Sequence, residues 1–249
     1  MTAARKVTGT ASVVLAPNPG PMTLDGTNTW VLRAPDAQAC VVVDPGPLHE
    51  RHLADVAACG PVAVVLLTHG HADHSEGARR LAELTGAPVR ALDPAHRLGD
   101  EGLGAGDVVA AAGLELRVMA TPGHTADSLS FLLDDAVLTG DTILGRGTTV
   151  VAHPDGVLAD YLGSLRRLRE LGGLTVLPGH GPELPDAGAA AQAYLAHREQ
   201  RLEQVRAAVE AGASTAEEVV AAVYADVDRA LWPYATLSVR AQLAYLGTT

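Results

Sequence analysis

The sequence predicts a layered protein of the α/β or α+β class that ends in a small helical domain. Three observations support this prediction. Short runs rich in Val and Leu alternate with Gly, Pro and Asp over the first two-thirds of the chain, as strands and turns do. Stretches with helical spacing lie between several of these runs, so we expect helices to cover the sheets. After Pro185 the composition changes to Ala-rich and charged stretches, which predict helices.

The strands are predicted from runs of β-branched, aliphatic and aromatic residues that turn residues bound on both sides. The run at 62–67 is apolar throughout, which is typical of a strand covered on both faces. Strands are expected at 12–16, 29–33, 40–44, 62–67, 89–92, 114–120, 128–133, 136–139 and 175–177.

The helices are predicted from apolar residues at helical spacing. They are expected at 50–58, 75–85, 158–171, 187–211, 216–225 and 237–246. Gly86 is expected to end the second of these, and the stretch Ser214–Glu217 matches a capping box that opens the fifth. Trp232-Pro233 predicts a break before the last helix. We therefore divide the chain into one domain at 1–186 and a connecting helix with a small domain at 187–249.

The balance of charge limits the partners. The chain has 249 residues, with 29 acidic and 18 basic side chains and a formal net charge of −11. Affinity for nucleic acid usually rests on basic residues that neutralise phosphates, so duplex DNA is not an expected partner, although a local basic groove stays open. Lys6 is the only lysine, which disfavours Schiff-base chemistry and a lysine-containing phosphate loop.

Hydropathy and cysteine content predict a cytoplasmic protein. No apolar run approaches the roughly 20 residues of a membrane helix, so no membrane partner is expected. The apolar stretch at 7–16 is interrupted by Thr, Gly and Ser, which makes it a poor signal peptide. Cys40 and Cys59 form no Cys-x-x-Cys pair, and we expect them to be buried apolar residues in a reducing compartment. The oligomeric state is left open.

The densest cluster of metal-binding residue types directly follows the strand predicted at 62–67. His69, His71, Asp73 and His74 lie within six residues, in a loop at the end of that strand. Neutral imidazole and carboxylate are ligands that zinc and similar divalent ions prefer. A strand followed by His-x-His-x-Asp-His is a demanding pattern, so we interpret it as a metal site rather than as a solvated polar loop.

Three more candidate ligands follow later strands. His124, Asp141 and His180 each come directly after a predicted strand or its flanking turn, and a glycine precedes each of them. Glycine allows tight turns and close approach of the backbone. Because all three follow the first cluster in a similar context, we expect them to complete the same metal site.

In this order, the seven residues resemble the ligand set of the metallo-β-lactamase-fold hydrolase superfamily, and the resemblance covers residues 10–185 approximately. It implies an α+β fold, a four-layer αβ/βα sandwich with two metal ions at one edge. The ions would be two Zn²⁺ per chain, although the same ligands accept iron or manganese. The resemblance assigns His69, His71 and His124 to the first ion, Asp73, His74 and His180 to the second, and Asp141 to a bridging position.

The implied activity is hydrolysis. Two dications lower the pKa of a water that bridges them, so the expected nucleophile is a metal-bridging hydroxide. Asp73 is expected to be catalytic as well as a ligand, because it could orient this hydroxide and transfer a proton. Zinc β-lactamases that resemble this chain lack a bridging aspartate at the position of Asp141, whereas glyoxalase II-like thioesterases and nucleases have it. Antibiotic hydrolysis is therefore not the expected activity.

A second resemblance concerns the substrate. The stretches at 23–30 and 160–165, and the pair His197-Arg198, resemble a branch of the superfamily that includes a mitochondrial single-stranded RNA endoribonuclease and its bacterial relatives. It implies cleavage of single-stranded RNA, with a thioester or another small ester or lactone as the alternative substrate. A non-catalytic metal-binding protein that kept the fold is a further alternative.

The C-terminal residues 213–249 are similar to the small winged-helix-like domain of that branch. They carry four acidic residues and two arginines, whereas a protein that reads duplex DNA normally presents a basic face. We interpret this domain as a lid over the site or as an interaction surface.

Two residues outside the ligand set are candidates for substrate binding. Asn28 could hydrogen-bond substrate at the mouth of the site, or satisfy its own backbone in a turn. Tyr161 could donate to an oxyanion, or pack at the head of its helix. The five remaining histidines lack a metal-ligand context, and we expect surface or structural roles for them. They are His49, His52, His96, His153 and His197.

Overall fold

Two β-sheets face each other, and their inner faces form the main core. The computed structural model describes residues 4–248. The first three residues of the domain predicted at 1–186, and the last residue of the one predicted at 187–249, lie outside the described residues. The strands of the first sheet are β1 (Arg5–Lys6), β2 (Ala11–Leu15), β3 (Asn28–Leu32), β4 (Cys40–Val43), β5 (Val62–Leu66) and β6 (Val89–Arg90). They neighbour one another in that order, antiparallel from β1 to β4 and parallel from β4 to β6.

The second sheet follows in the chain. Its strands are β7 (Val108–Ala111), β8 (Leu114–Ala120), β9 (Leu129–Leu132), β10 (Ala136–Gly140) and β11 (Thr175–Pro178). They neighbour one another in chain order, with β10 and β11 parallel and the other pairs antiparallel. Between the sheets lies a core that includes Trp30, Leu66, Phe131 and Leu138, all buried.

Helices cover both outer faces. They are α1 (Glu50–Ala57), α2 (Ala72–Ser75), α3 (Ala78–Thr85), α4 (Leu158–Arg169), α5 (Ala187–Glu210), α6 (Ala216–Val223) and α7 (Trp232–Leu246). Leu53 of α1 and Leu81 of α3 pack on the first sheet. Leu165 of α4 and Leu195 of α5 pack on the second. The layers are therefore α, β, β, α, which confirms the predicted four-layer α+β fold.

The C-terminal helices form a separate small core. Val205 near the end of α5 packs with Val219 of α6 and Val239 of α7. Because α5 also packs its first half on the second sheet, it belongs to both cores. It begins at Ala187, and the division at 186/187 stays a prediction.

The start of α6 differs by one residue from the predicted capping box. Thr215, not Ser214, is the N-cap residue: its hydroxyl accepts a hydrogen bond from the Glu218 N–H, and the Glu218 carboxylate accepts one from the Thr215 N–H. Both stretches match the pattern, and the observed one opens a helix that buries Val219 and Val220.

Two other predictions of secondary structure were wrong, and two strands were missed. The helix expected at 75–85 is divided into α2 and α3 at Gly77, whose N–H donates to the Gly46 carbonyl. The break expected at Trp232-Pro233 is the start of α7, because a proline is tolerated in the first turn of a helix. Strands β1 and β7 were not predicted, since their two and four residues show little pattern.

Across residues 4–248, no helix combines the length and the apolarity needed to cross a membrane. Both cysteines are free thiols, with Cys40 buried and Cys59 half-buried. The reducing, cytoplasmic location expected from them stays a prediction.

Candidate metal centre

The seven predicted ligands lie in loops that leave the carboxyl ends of four strands. His69 and His71 follow β5, and Asp73 and His74 lie on the short α2 immediately after them. The other three follow β8, β10 and β11, in the order His124, Asp141 and His180. Their ligand atoms form three overlapping groups, and within each group every atom lies within 4.8 Å of the others.

The first half of the site is a cluster of three histidines. His71 Nδ1 lies 3.1 Å from His69 Nε2 and 3.1 Å from His124 Nε2. The second half combines Asp73, His74 and His180. His180 Nε2 lies 3.2 Å from His74 Nε2 and 3.1 Å from Asp73 Oδ2.

Asp141 lies between the two halves. Its Oδ1 is 3.4 Å from His74 Nε2 and 3.4 Å from His180 Nε2, whereas its Oδ2 is 3.7 Å from His124 Nε2. One carboxylate oxygen thus faces each half, which is the arrangement that a bridging ligand needs.

The residues present fit a pair of divalent cations. Asp141 Oδ1 is buried and has no hydrogen-bond partner within the described chain. Imidazole nitrogens that approach each other to 3.1–3.2 Å need either a shared proton or a cation between them. Histidine and carboxylate are the donors that zinc, iron and manganese accept in such sites.

The outer nitrogens of four ligand histidines have acceptors that fix which nitrogen faces the site. His124 Nδ1 donates to the Val150 carbonyl at 2.8 Å, and His180 Nδ1 donates to the Gly26 carbonyl at 3.2 Å. His69 Nδ1 lies 3.0 Å from the Thr68 hydroxyl. Because each Nδ1 carries the proton, each Nε2 is left free to bind a cation.

The fourth acceptor, Asp44, was missed by the sequence analysis. It is 1% exposed, and its Oδ2 accepts hydrogen bonds from His74 Nδ1 at 2.9 Å and from the Thr68 hydroxyl at 2.7 Å. Its Oδ1 accepts from the Thr68 N–H at 2.8 Å. Asp44 therefore orients one ligand histidine and anchors the first residue of the loop that carries four ligands.

The pKa values divide the histidines into two kinds. Burial lowers the pKa of His69 well below its usual value, so its imidazole is neutral. Burial also acts on His74 and His180, but nearby carboxylates outweigh it. Asp141 and Asp44 raise the pKa of His74 well above its usual value, and Asp141 with Asp73 raises that of His180 to about 9. A cation that binds in the second half therefore competes with protons.

The two candidate substrate residues have structural contacts instead. Tyr161 is fully buried, and its hydroxyl donates to the Thr142 carbonyl at 2.7 Å, so the suggestion that it stabilises an oxyanion was wrong. Asn28 is also buried, and its side-chain amide donates to the carbonyls of Pro178 and Gly181. It therefore braces the loop that carries His180 and does not reach into a site mouth.

A cavity of about 350 Å³ opens beside the metal-binding cluster. His124 and Asp141 of the cluster line it, together with residues of α5 and α7. Its walls are largely apolar, with contributions from Met22, Leu144 and Leu231. The C-terminal domain thus contributes residues to the cavity wall, and its role as a lid or as an interaction surface stays a prediction.

Comparisons with known proteins agree with this architecture. The sequence model described as "Metallo-beta-lactamase superfamily" matches residues 22–180, and that described as "Beta-lactamase associated winged helix domain" matches residues 215–247. The chain is 34% identical to the atrochrysone carboxyl ACP thioesterase of Aspergillus fumigatus, over 89% of this chain and 77% of that one. It is 33% identical to the beta-lactamase-like protein 2 homolog of Caenorhabditis elegans, over 89% and 78% respectively. A metallo-beta-lactamase family protein from Thermus thermophilus superposes with a TM-score of 0.78 at 24% identity, over 95% of this chain and 93% of that one.

Proposed function

The chain belongs to the metallo-β-lactamase superfamily, and on that premise we propose that it is a dinuclear metal-dependent hydrolase of thioesters and related small esters. The observation that carries the proposal is the position of the cavity. Its lining is largely apolar and includes His124 and Asp141, so an apolar acyl group bound there would lie beside the ligand cluster.

The metal ions are proposed to be two Zn²⁺, held as the resemblance implies. His69, His71 and His124 would hold the first, Asp73, His74 and His180 the second, and Asp141 both. When bound, such ions supply a water of lowered pKa and polarise the carbonyl oxygen under attack.

Asp73 is proposed to transfer the proton. Its side chain is 31% exposed, more than that of Asp141, and its Oδ2 faces His74 and His180. The carboxylate can therefore orient the attacking water, accept its proton and deliver it to the leaving thiolate once the carbon–sulfur bond has broken. The hydrogen bonds of Asp44, Val150 and Gly26 hold the histidine rings in place throughout.

Cleavage of single-stranded RNA is the second candidate, and three arginines favour it. Arg146, Arg198 and Arg201 line the cavity and could contact phosphate. The net charge of −11 and the apolar walls weigh against it, and a thioesterase among the relatives favours the first candidate. A non-catalytic metal-binding role is the least favoured, because the set of candidate ligands is complete and two of them, His124 and Asp141, line a substrate-sized cavity.

A substrate panel with defined metal loading tests the proposal. Zinc-loaded protein, Asp141→Asn and the matched control Asp134→Asn, at an exposed position, are assayed on acyl thioesters, single-stranded RNA, a phosphodiester and a lactam. We expect thioester hydrolysis that Asp141→Asn lowers about 100-fold or more and Asp134→Asn leaves unchanged. RNA cleavage without thioester hydrolysis would replace the first candidate by the second. About two bound ions with no activity on any substrate would favour the non-catalytic role.

A further inference from the structure

An arginine without an acidic partner lies inside the cavity. Arg198 of α5 is 5% exposed and lines the cavity beside the metal-binding cluster. A guanidinium has five N–H groups, yet the hydrogen bond that Arg198 makes is a single one, from Nη2 to the Thr149 carbonyl. Its Nε is buried with no partner within residues 4–248, and no carboxylate there pairs with it. A buried charge is costly unless it is paired, so this guanidinium lacks its counter-charge.

The aromatic neighbour of Arg198 does not supply that counter-charge. The guanidinium carbon lies 5.1 Å from the centre of the Tyr161 ring, a distance at which the ring attracts the cation. The Tyr161 hydroxyl also interacts with the guanidinium, but a neutral hydroxyl supplies no counter-charge. A purely structural role therefore still leaves the buried Nε of Arg198 without an acceptor within residues 4–248.

The surroundings have the same sign of charge. Arg201, one turn further along α5, lines the same cavity and donates to the Gln204 side chain and the Val223 carbonyl, and no carboxylate in the described chain pairs with it. His197 also lines the cavity, but burial and the two arginines lower its pKa, so its ring adds no positive charge there; its Nδ1 is buried without a partner. Among the residues that line the cavity, Asp141 is the only acid, and it belongs to the metal-binding cluster.

Arg198 is also connected to the metal-binding cluster. Thr149, whose carbonyl accepts its hydrogen bond, donates from its hydroxyl to the backbone carbonyl of Asp141 at 2.7 Å. The next residue, Val150, accepts from His124 Nδ1. A group bound by Arg198 is therefore held beside the residues that face the scissile bond.

We propose that Arg198, with Arg201 beside it, binds an oxyanion group of the substrate, a carboxylate or a phosphate, and that this site selects anionic over neutral substrates. The substrate that fits has an apolar body for the cavity walls and one anionic group for α5. The reaction part of this inference rests on the proposed hydrolase function, whereas the anion site does not depend on which bond is cleaved.

Four thioesters locate the anionic group. The acyl part is butyryl or succinyl, and the thiol part is N-acetylcysteamine or coenzyme A, so the charge lies on either side of the carbonyl, on both or on neither. The zinc-loaded wild type is compared with Arg198→Gln and with Arg166→Gln, which removes the same charge from an exposed position of α4. Arg198→Gln should lower kcat/KM about 10- to 100-fold for the substrates whose anion it binds, and about 2-fold or less for the neutral one.

The pattern of the losses identifies the anion. A loss that follows the succinyl group assigns the site to an acyl carboxylate, and a loss that follows coenzyme A assigns it to a phosphate of the leaving group. Equal losses on all four substrates, or none, would overturn the proposal. If circular dichroism shows that Arg198→Gln is unfolded, Arg201→Gln is expected to give a smaller loss with the same pattern, and its absence would count against the site.

Binding separates this proposal from the proposed reaction. Isothermal titration calorimetry measures succinate, inorganic phosphate and neutral succinamide on the same zinc-loaded proteins. We expect Arg198→Gln to bind one of the two anions about 10- to 100-fold more weakly, with Arg166→Gln unchanged. If the wild type hydrolyses no thioester but anion binding still depends on Arg198, the proposed reaction is wrong and the anion site is retained. Anion binding that is independent of both Arg198 and Arg201 would overturn the site.

Discussion

Replacing Asp44 by Asn tests whether the outer hydrogen bonds of the ligand histidines set the metal affinity. Asp44 Oδ1 accepts from the Thr68 N–H, so the variant must keep its own oxygen there and place its NH₂ group where Oδ2 was. That NH₂ group then meets His74 Nδ1 and donates to it. The proton of the His74 ring is thereby moved to Nε2, the nitrogen that faces Asp73 and Asp141 and is needed for a cation.

The magnitude follows from the bonds that change. A hydrogen bond to a charged acceptor contributes about 1.5–3 kcal/mol. The loss that bears directly on the second metal ion is the single bond to His74. Converted to a dissociation constant, it corresponds to about 10- to 150-fold weaker binding of the second metal ion. The first ion, whose ligands Asp44 does not contact, should change by about 3-fold or less.

Competition with a chromophoric chelator measures both dissociation constants. The matched control is Asp36→Asn, which makes the same chemical change at an exposed aspartate for which the structure shows no hydrogen bond. It should bind both ions as the wild type does. If Asp44→Asn, folded by circular dichroism, also binds both ions as tightly as the wild type, Asp44 does not control the ligand histidine.

Two further predictions concern packing and pH. A Cβ at Gly179 would lie 2.5 Å from Asp141 Oδ1 and 2.7 Å from His74 Cε1, so Gly179→Ala should weaken metal binding by about 10-fold or more. The control Gly173→Ala, at a position with open space around it, should bind metal as the wild type does. Metal analysis after dialysis measures the difference. Burial lowers the pKa of His52, so below pH 6.5 the unfolded chain takes up a proton that the folded chain does not. The free energy of unfolding should therefore fall on acidification by up to about 1.4 kcal/mol per pH unit. Urea unfolding of His52→Gln should show a shallower dependence of this free energy on pH. An equal dependence in the variant and the wild type would show that His52 is not its cause.

The ligand set could be predicted from the sequence because its signals are local. Four of the seven residues lie within one loop, and each of the other three follows a glycine near the end of a predicted strand. Asp44 could not be found in this way, since it is 24 residues from Thr68 and 30 from His74. A signal was nevertheless available: Asp44 directly follows β4, which is parallel to β5 and next to it, so the carboxyl ends of the two strands meet at one edge of the sheet.

Other features depend on packing that the sequence pattern does not encode. The cavity forms where α5 and α7 approach loops that precede them by more than 40 residues, and periodicity along a single helix does not show which residues face it. Tyr161 had a polar and an apolar alternative, of which packing was the favoured one, and the core of α4 and α5 buries the ring completely.

The net charge of the chain and the charge inside the cavity affect the binding of short and long substrates differently. The field of a chain with 11 excess negative charges is screened beyond about 8 Å at physiological salt, so a small anion inside the cavity interacts chiefly with Arg198 and Arg201. An RNA of several nucleotides would extend beyond the cavity, where the net charge of −11 opposes each further phosphate. Added salt should weaken the binding of the small anion. It should also screen the repulsion of a long RNA and so favour its binding, whereas nucleic-acid binding usually weakens with salt. A protein that had to retain a long RNA would need basic residues outside the cavity, and the charges of this chain instead favour a short substrate with one anionic group.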